Sequence, residues 1–175
     1  DNSSAFDALH AVLGDGGAMG IFPEGLSHRD SDLSEFKTGP ARLALGAKAA
    51  SPDQRVYIVP CGLHFTAPSR FRSAALLQIG TPLEMTNARM AEHATDDRAA
   101  VGSLTDELEQ SIRSLTVTAD NWETIHTLDA ARRLYQPDGI SLEERVELAR
   151  RFNRVFPSVK DEPDVAEFMV RMQAY

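Results

Sequence analysis

The 175-residue chain has the composition of a globular domain with a sizeable core, since 42% of its residues are hydrophobic and 25% are charged. Its net charge of −8 excludes nucleic acid as an expected partner, because nonspecific binding to phosphates requires many Lys and Arg contacts. The single cysteine, Cys61, excludes an internal disulfide, and the sequence has no Cys/His cluster with zinc spacing and no apolar run of 18 residues.

The first half of the chain alternates helical and strand-like patterns. Residues 4–13 carry an amphipathic helix pattern that ends at a glycine-rich turn, and the Ala-rich stretch 41–50 predicts a second helix. Apolar runs typical of buried strands lie at 18–22, 56–60 and 75–79. Because strands that alternate with helices usually form parallel sheets, we predict an α/β fold with a mainly parallel sheet flanked by helices.

From about residue 100 the sequence predicts helices only. Apolar stripes at helical spacing begin at Leu104, Trp122, Leu142 and Val165. Ser141 and Glu144 have the spacing of a capping box at the start of the third of these helices. We therefore predict two parts: residues 1–95 belong to an α/β domain, and residues 96–175 form an all-helical C-terminal extension packed on it.

The loop after the first predicted strand has the residue types of a phosphate site. It contains Phe22, Pro23, Glu24, Gly25, Ser27, His28, Arg29 and Lys37. We expect Arg29 and Lys37 to bind a phosphate as a planar fork and a mobile point charge, with Gly25 allowing close backbone approach. Glu24 would accept hydrogen bonds from substrate hydroxyls or hold Arg29 in place. The alternative, an ordinary turn with surface charges, fits the same residues.

Together with later blocks, this loop resembles the glycerolipid acyltransferases. The matching blocks are Phe22–Gly25, Ser27-His28, Lys37-Thr38-Gly39, Ile58–Leu63, Arg70-Phe71-Arg72-Ser73 and Ala130–Tyr135. They are most similar to the first-step enzymes of fungi and some bacteria, which acylate glycerol 3-phosphate or dihydroxyacetone phosphate. The resemblance implies that residues 1–95 are the C-terminal part of the acyltransferase domain. It also implies acyl-CoA or acyl carrier protein as the co-substrate, with no cofactor and no metal.

The resemblance also implies which residues bind substrate. They are Phe22, Pro23, Glu24, Gly25, Ser27, His28, Arg29, Lys37, Arg70 and Arg72. The segment Leu26-Ser27-His28-Arg29 departs from the family's commoner Thr-Arg-Ser-Arg, so the first Arg of that pattern is absent. Arg70 and Arg72 are the candidates that would supply the missing positive charge.

The general base of this family is expected outside the chain. In the family, a His paired with an Asp five residues later removes the proton of the acceptor hydroxyl, several dozen residues before Phe-Pro-Glu-Gly. Here only 21 residues precede Phe22. His10 and Asp15 have the right spacing, but helical positions five apart differ by about 140° around the axis and do not meet. We therefore expect the chain to be a piece of a longer enzyme and to be inactive alone.

Two other functions fit the same residues. One is acylation of lysophosphatidate, although Ser27-His28 and the helical tail favour the first step. The other is a noncatalytic phosphate-binding or assembly module that lacks the His-Asp pair; a hydrolase is disfavoured because no Gly-x-Ser-x-Gly sequence is present. Because the acylated product is an amphiphile, we expect the parent enzyme at a membrane surface, on its cytoplasmic face, peripheral or anchored by segments outside this chain.

Overall fold

A computed structural model describes residues 3–67 and 70–173, which form two compact units. The first unit comprises the described residues of 1–27, 34–61 and 79–114, and the second those of 28–33, 62–78 and 115–175. The chain therefore passes between the units several times, whereas the sequence predicted a single division near residue 95. The two predicted domains stay a prediction.

The first unit is built around two helices that pack on each other. It contains α1 (Ser3–Gly14), α2 (Gly39–Ala50), β1 (Tyr57–Ile58), β4 (Leu83–Glu84), α3 (Asn87–Thr95) and α4 (Asp97–Leu115, its residues up to 114). Pro40 lies in the first turn of α2, where its missing N–H is tolerated. The core side chains are Phe36, Ala41, Leu43, Ala44, Leu45, Ala47, Val56, Leu83, Met85, Val101, Leu104 and Leu108. The predicted helices at 4–13 and 41–50 are thus confirmed.

α2 ends in a turn that is closed by a buried lysine. The Lys48 side chain is only 9% exposed, and its ammonium group donates to the carbonyl oxygens of Pro52 at 2.6 Å and Gln54 at 2.8 Å. A second bond reaches α1, since the Gln54 amide donates to the carbonyl oxygen of Leu13 at 2.8 Å. The two bonds of Lys48 give its buried ammonium group the hydrogen-bond acceptors that a buried charge requires.

Two short strand pairs occur in the described residues. β1 pairs with β4 in antiparallel register, with Tyr57 opposite Glu84 and Ile58 opposite Leu83. β2 (Cys61–Phe65) pairs with β3 (Ala75–Ile79). β3 has the bounds that the sequence predicted, and β1 is shorter than its predicted run. The mainly parallel sheet stays a prediction.

The predicted strand at 18–22 is wrong for this structure. The segment has irregular backbone, and Phe22 at its end is 77% exposed. A strand requires a partner for its backbone N–H and C=O groups, and none of the described strands pairs with it.

The second unit consists mainly of three packed helices. These are α5 (Trp122–Tyr135), α6 (Leu142–Val159) and α7 (Pro163–Gln173), and α5 contacts both others. Ser141 and Glu144 form the predicted capping box at the start of α6. The core consists of Leu128, Ala131, Val146 and Ala149. None of the helices in the described ranges is long and apolar enough to cross a bilayer.

Candidate functional site

Phe22–Gly25 forms a tight turn in the first unit. The Gly25 N–H donates to the carbonyl oxygen of Phe22 at 3.1 Å. Gly25 has a φ of +69°, the left-handed region that costs a residue with a Cβ about 1–2 kcal/mol. Backbone geometry therefore favours glycine at this position.

The turn is held from the other side of the loop by residues 34–37. A carboxylate oxygen of Glu24 accepts the Ser34 N–H at 2.7 Å, and the Lys37 N–H donates to the carbonyl oxygen of Pro23 at 2.8 Å. A Cβ built on Gly25 would lie 3.3 Å from Cγ of Lys37. The structure therefore brings Pro23, Glu24, Gly25 and Lys37 together within the first unit.

Lys37 also lies immediately before a helix. The N-cap of α2 is Thr38, which makes no side-chain cap hydrogen bond, and the helix begins at Gly39. The first N–H groups of a helix carry partial positive charge and attract anions. The exposed Lys37 ammonium and the start of α2 thus give this end of the loop a positive field.

His28 and Arg29 lie in the second unit. The Asp30 N–H donates to Nδ1 of His28 at 3.2 Å, and an Asp30 carboxylate oxygen lies 3.2 Å from the same nitrogen. Arg29 is exposed, and its carbonyl oxygen accepts a hydrogen bond of 2.6 Å from the indole Nε1 of Trp122. Trp122 was predicted only as part of an apolar stripe, and no local pattern indicates this contact.

Arg70 and Arg72 lie in the connection between β2 and β3, also in the second unit. The Arg70 N–H donates to the carbonyl oxygen of Ala67 at 3.0 Å, and the Ser73 N–H donates to that of Arg70 at 3.2 Å. Arg72 has a φ of +61°, and Phe71 beside it is 95% exposed. Both guanidinium groups belong to exposed residues, so they are accessible to an anion.

The ten predicted substrate-binding residues are thus divided between the units. The first unit contains Phe22, Pro23, Glu24, Gly25, Ser27 and Lys37, and the second contains His28, Arg29, Arg70 and Arg72. Phe22 and Ser27 are exposed and lie beside the turn in sequence. For all ten residues, contact with substrate stays a prediction.

A charged network that no sequence pattern indicates lies in the second unit. Arg132 is 3% exposed, and its guanidinium group donates to one carboxylate oxygen of Asp129 at 2.6 and 2.9 Å. Burial would raise the pKa of Asp129, but the hydrogen bonds and charges of Arg132 and Arg133 lower it below its ordinary value. Burial also lowers the pKa of His64 below its ordinary value. The charge of Arg132 lowers this pKa further, and the charge of Asp129 raises it. These pairs stabilise α5 locally.

His10 has packing contacts in the first unit. A Cβ built on Gly46 of α2 would lie 2.8 Å from its Nε2, and the ring of Phe6 meets it edge-on with the centroids 6.3 Å apart. This position favours the interpretation of His10 as a helix-packing residue. Within residues 3–67 and 70–173, no group of three His, Cys, Asp or Glu side chains could hold a metal ion.

Comparison with known proteins identifies the family. Residues 1–64, which include the turn and Lys37, match the family model described as acyltransferase. The chain is 37% identical over 167 residues to glycerol-3-phosphate O-acyltransferase 2 of Saccharomyces cerevisiae, covering 94% of this chain and 22% of that protein. It is 33% identical over 180 residues to glycerol-3-phosphate O-acyltransferase 1 of the same yeast, covering 100% of this chain and 24% of that protein.

A third relative comes from a second yeast, Schizosaccharomyces pombe. The chain is 30% identical over 178 residues to an uncharacterized acyltransferase of Schizosaccharomyces pombe, covering 100% of this chain and 26% of that protein. The chain thus spans about a quarter of the length of the curated relatives it matches. No solved structure matches it significantly. The resemblance seen in the sequence is confirmed, and the chain belongs to the acyltransferase family.

Proposed function

We propose that this chain is part of a glycerol-3-phosphate O-acyltransferase, which transfers a fatty acyl group to glycerol 3-phosphate or dihydroxyacetone phosphate in phospholipid synthesis. The names of the two Saccharomyces relatives support the acceptor. The observation that carries the proposal is the turn at Phe22–Gly25, which is hydrogen-bonded to the segment that ends in Lys37. It lies within the residues that match the family model.

The proposed role of this loop is to bind the acceptor's phosphate. The Lys37 ammonium and the first N–H groups of α2 neutralise a phosphate dianion. Gly25 lets the ligand approach the backbone because no side chain intervenes. Glu24 keeps the turn in place through the Ser34 N–H, so its carboxylate supports the loop in addition to any contact with substrate hydroxyls.

The proposed reaction forms an ester from a thioester. The acceptor's hydroxyl oxygen attacks the acyl carbonyl carbon, a C–O bond forms, the C–S bond breaks and the donor's thiol leaves with a proton. The donor is acyl-CoA or acyl carrier protein, and no other cofactor is required by this chemistry. We place the general base, the family's His-x4-Asp pair, outside this chain.

The chemistry of the product supports a membrane location. Acylation converts a small polar phosphate into an amphiphile whose chain partitions into lipid. We therefore place the parent enzyme at the cytoplasmic face of a membrane, peripheral or anchored by segments outside this chain.

Calorimetric titration of the chain with glycerol 3-phosphate tests the proposed phosphate role of Lys37. We expect Lys37→Ala to weaken binding about tenfold or more, because a charge-assisted hydrogen bond to the phosphate is lost. Lys160→Ala, which removes the same charge from an exposed residue after α6, serves as the control and should leave affinity unchanged. Glycerol, which lacks the phosphate, should not bind; equal binding of glycerol would contradict the proposal.

A further inference from the structure

The paired strands β2 and β3 present exposed apolar side chains in the second unit. In β2, Leu63 is 48% exposed and Phe65 is 52% exposed, and in β3 Leu77 is 55% exposed. Less exposed residues alternate with them in both strands, as expected for side chains on opposite faces of a strand. The other face of β2 packs inward, because a Cβ built on Gly62 would lie 2.7 Å from Leu115. Leu63 and Phe65 therefore lie on the face of β2 that points away from Leu115.

The connection between the two strands contains a turn that exposes an aromatic ring. The Ser73 N–H donates to the carbonyl oxygen of Arg70 at 3.2 Å, so Phe71 and Arg72 occupy the two central positions of this turn. Phe71 is 95% exposed. A phenyl ring gains free energy when it leaves water for an apolar medium, and at this exposure almost none of that gain comes from the fold.

The charge around this turn is opposite to that of the chain as a whole. Residues 54–83 contain no Asp or Glu, although the chain has 26 acidic residues and a net charge of −8. Arg70 and Arg72 flank Phe71, and both are exposed. An exposed aromatic ring between two cations matches the surface of an anionic bilayer, whose headgroups attract cations and whose acyl boundary accepts the ring.

A second copy of the chain matches this surface less well. In a symmetric dimer the same patch faces itself, so the two arginines of one copy would meet those of the other. Because residues 54–83 supply no carboxylate, the segment offers nothing to neutralise them. Charge complementarity therefore favours an anionic lipid surface over self-association.

From these observations we infer that the β2–β3 segment, residues 62–78, is a docking surface for an anionic bilayer. Phe71 enters the boundary of the acyl chains, and Arg70 and Arg72 bind lipid phosphates. The exposed side chains of β2 and β3 add apolar area to the same segment. The inference rests on the membrane location given under the proposed function, and it gives the two arginines a ligand other than the acceptor's phosphate.

Cosedimentation of the chain with lipid vesicles tests the inference. The unmodified chain should bind vesicles of equal parts phosphatidylcholine and phosphatidylglycerol at least about tenfold more tightly than vesicles of phosphatidylcholine alone. Phe71→Ala should weaken binding to the mixed vesicles about tenfold, because the inserted ring is lost. Leu134→Ala, at a 65% exposed position of α5, is the control and should leave binding unchanged. Equal binding to both kinds of vesicle, or equal binding by Phe71→Ala and the unmodified chain, would overturn the inference.

A charge variant tests the role of the arginines. The double variant Arg70→Gln, Arg72→Gln should weaken binding to the mixed vesicles about tenfold or more, since each cation near the surface contributes about fivefold. The control Arg151→Gln, Arg154→Gln removes two charges from exposed residues of α6 and should weaken binding less than about threefold. Weaker binding of glycerol 3-phosphate with unchanged vesicle binding in the first variant would assign the arginines to the acceptor and overturn the inference.

Fluorescence quenching tests whether the turn enters the bilayer. Trp122 is the one tryptophan of the sequence, so Phe71→Trp in a Trp122→Phe background places a single indole at the turn. Phosphatidylcholine with brominated acyl chains, included in the mixed vesicles, should quench its emission but not that of Leu134→Trp in the same background. Equal quenching at both positions, or a dimer of the unmodified chain that Phe71→Ala dissociates, would overturn the inference. Neither result would affect the proposed acyl transfer, because these measurements involve no acceptor.

Discussion

The indole Nε1 of Trp122 lies 2.6 Å from the carbonyl oxygen of Arg29, a residue 93 positions earlier in the chain. The donor lies on the first residue of α5, directly after the helix cap formed by Asn121. The start of this helix therefore has two roles, since the Asn121 side chain caps the helix and the Trp122 side chain bonds to a distant loop. Changes at either position should affect the conformation of that loop.

Gly25→Ala should lower the stability of the protein and weaken its binding of phosphate. The φ of +69° is strained for alanine, and its Cβ would lie 3.3 Å from Cγ of Lys37. We expect a loss of about 1–2 kcal/mol in the free energy of unfolding, measured by urea denaturation. Gly102→Ala is the control, because a Cβ there meets nothing within 4 Å and the residue lies inside α4. Gly102→Ala should stabilise the protein by about 0.5–1 kcal/mol. Equal effects of the two changes would contradict the conformational preference for glycine at position 25.

Gly62→Ala should destabilise the second unit for a different reason. A Cβ on Gly62 would lie 2.7 Å from both Cβ and the carbonyl oxygen of Leu115. Because the backbone fixes the positions of both atoms, neither can move aside by a change of rotamer. We expect a loss of about 1–3 kcal/mol in urea denaturation, the usual range for overpacking. A Gly62→Ala protein as stable as the unmodified chain would contradict this close approach of Leu115 to Gly62.

Replacing Lys48 should leave the carbonyl groups of Pro52 and Gln54 without this donor. Lys48→Met keeps most of the aliphatic chain but loses both bonds, to Pro52 and to Gln54. We expect a loss of about 1–3 kcal/mol in the free energy of unfolding. Lys160→Met, at an exposed lysine, should change it by less than about 0.5 kcal/mol. Equal stabilities of the two variants would contradict a structural role for the Lys48 ammonium.

The protein should lose stability as the pH falls below about 6.5 because of His64. Burial, reinforced by Arg132 and opposed by Asp129, lowers the pKa of His64 in the folded protein below its ordinary value of 6.5. The unfolded chain therefore binds a proton more readily than the folded chain, so stability rises with pH up to about 6.5 and is lost on acidification. Urea midpoints at pH 5.0 and 7.5 should differ more in the unmodified chain than in His64→Gln. The same pH dependence in both proteins would contradict this assignment.

Local sequence signals predicted the helices better than the strands. The capping residues Ser141 and Glu144 act within one turn, so the start of α6 could be read from four consecutive residues. The apolar run 18–22 has a strand-like composition, but a strand forms only with a partner, and a composition pattern does not specify one. The strand prediction at 18–22 was therefore wrong because the segment has no partner among the described strands.

The candidate site shows the same division between local and nonlocal signals. The turn at Phe22–Gly25 follows from Pro and Gly at turn positions. Lys37 was expected to bind a phosphate together with Arg29, and the bond from its backbone N–H to Pro23 was not predicted. The bond from Ser34 to Glu24 was not predicted, because backbone donors carry no sequence signature. The contact between Trp122 and Arg29 was missed for a further reason: an aromatic residue in an apolar stripe indicates core packing.

Thiol release from acyl-CoA by the protein of the full reading frame tests the proposed acyl transfer. The acceptors are glycerol 3-phosphate, dihydroxyacetone phosphate and lysophosphatidate. Glu24→Ala removes the carboxylate that accepts the Ser34 N–H, and Glu24→Gln retains an acceptor oxygen as its control. We expect release with one of the first two acceptors, loss of that release in Glu24→Ala and partial retention in Glu24→Gln. Release with lysophosphatidate alone, no release with any acceptor, or full activity in Glu24→Ala would contradict it.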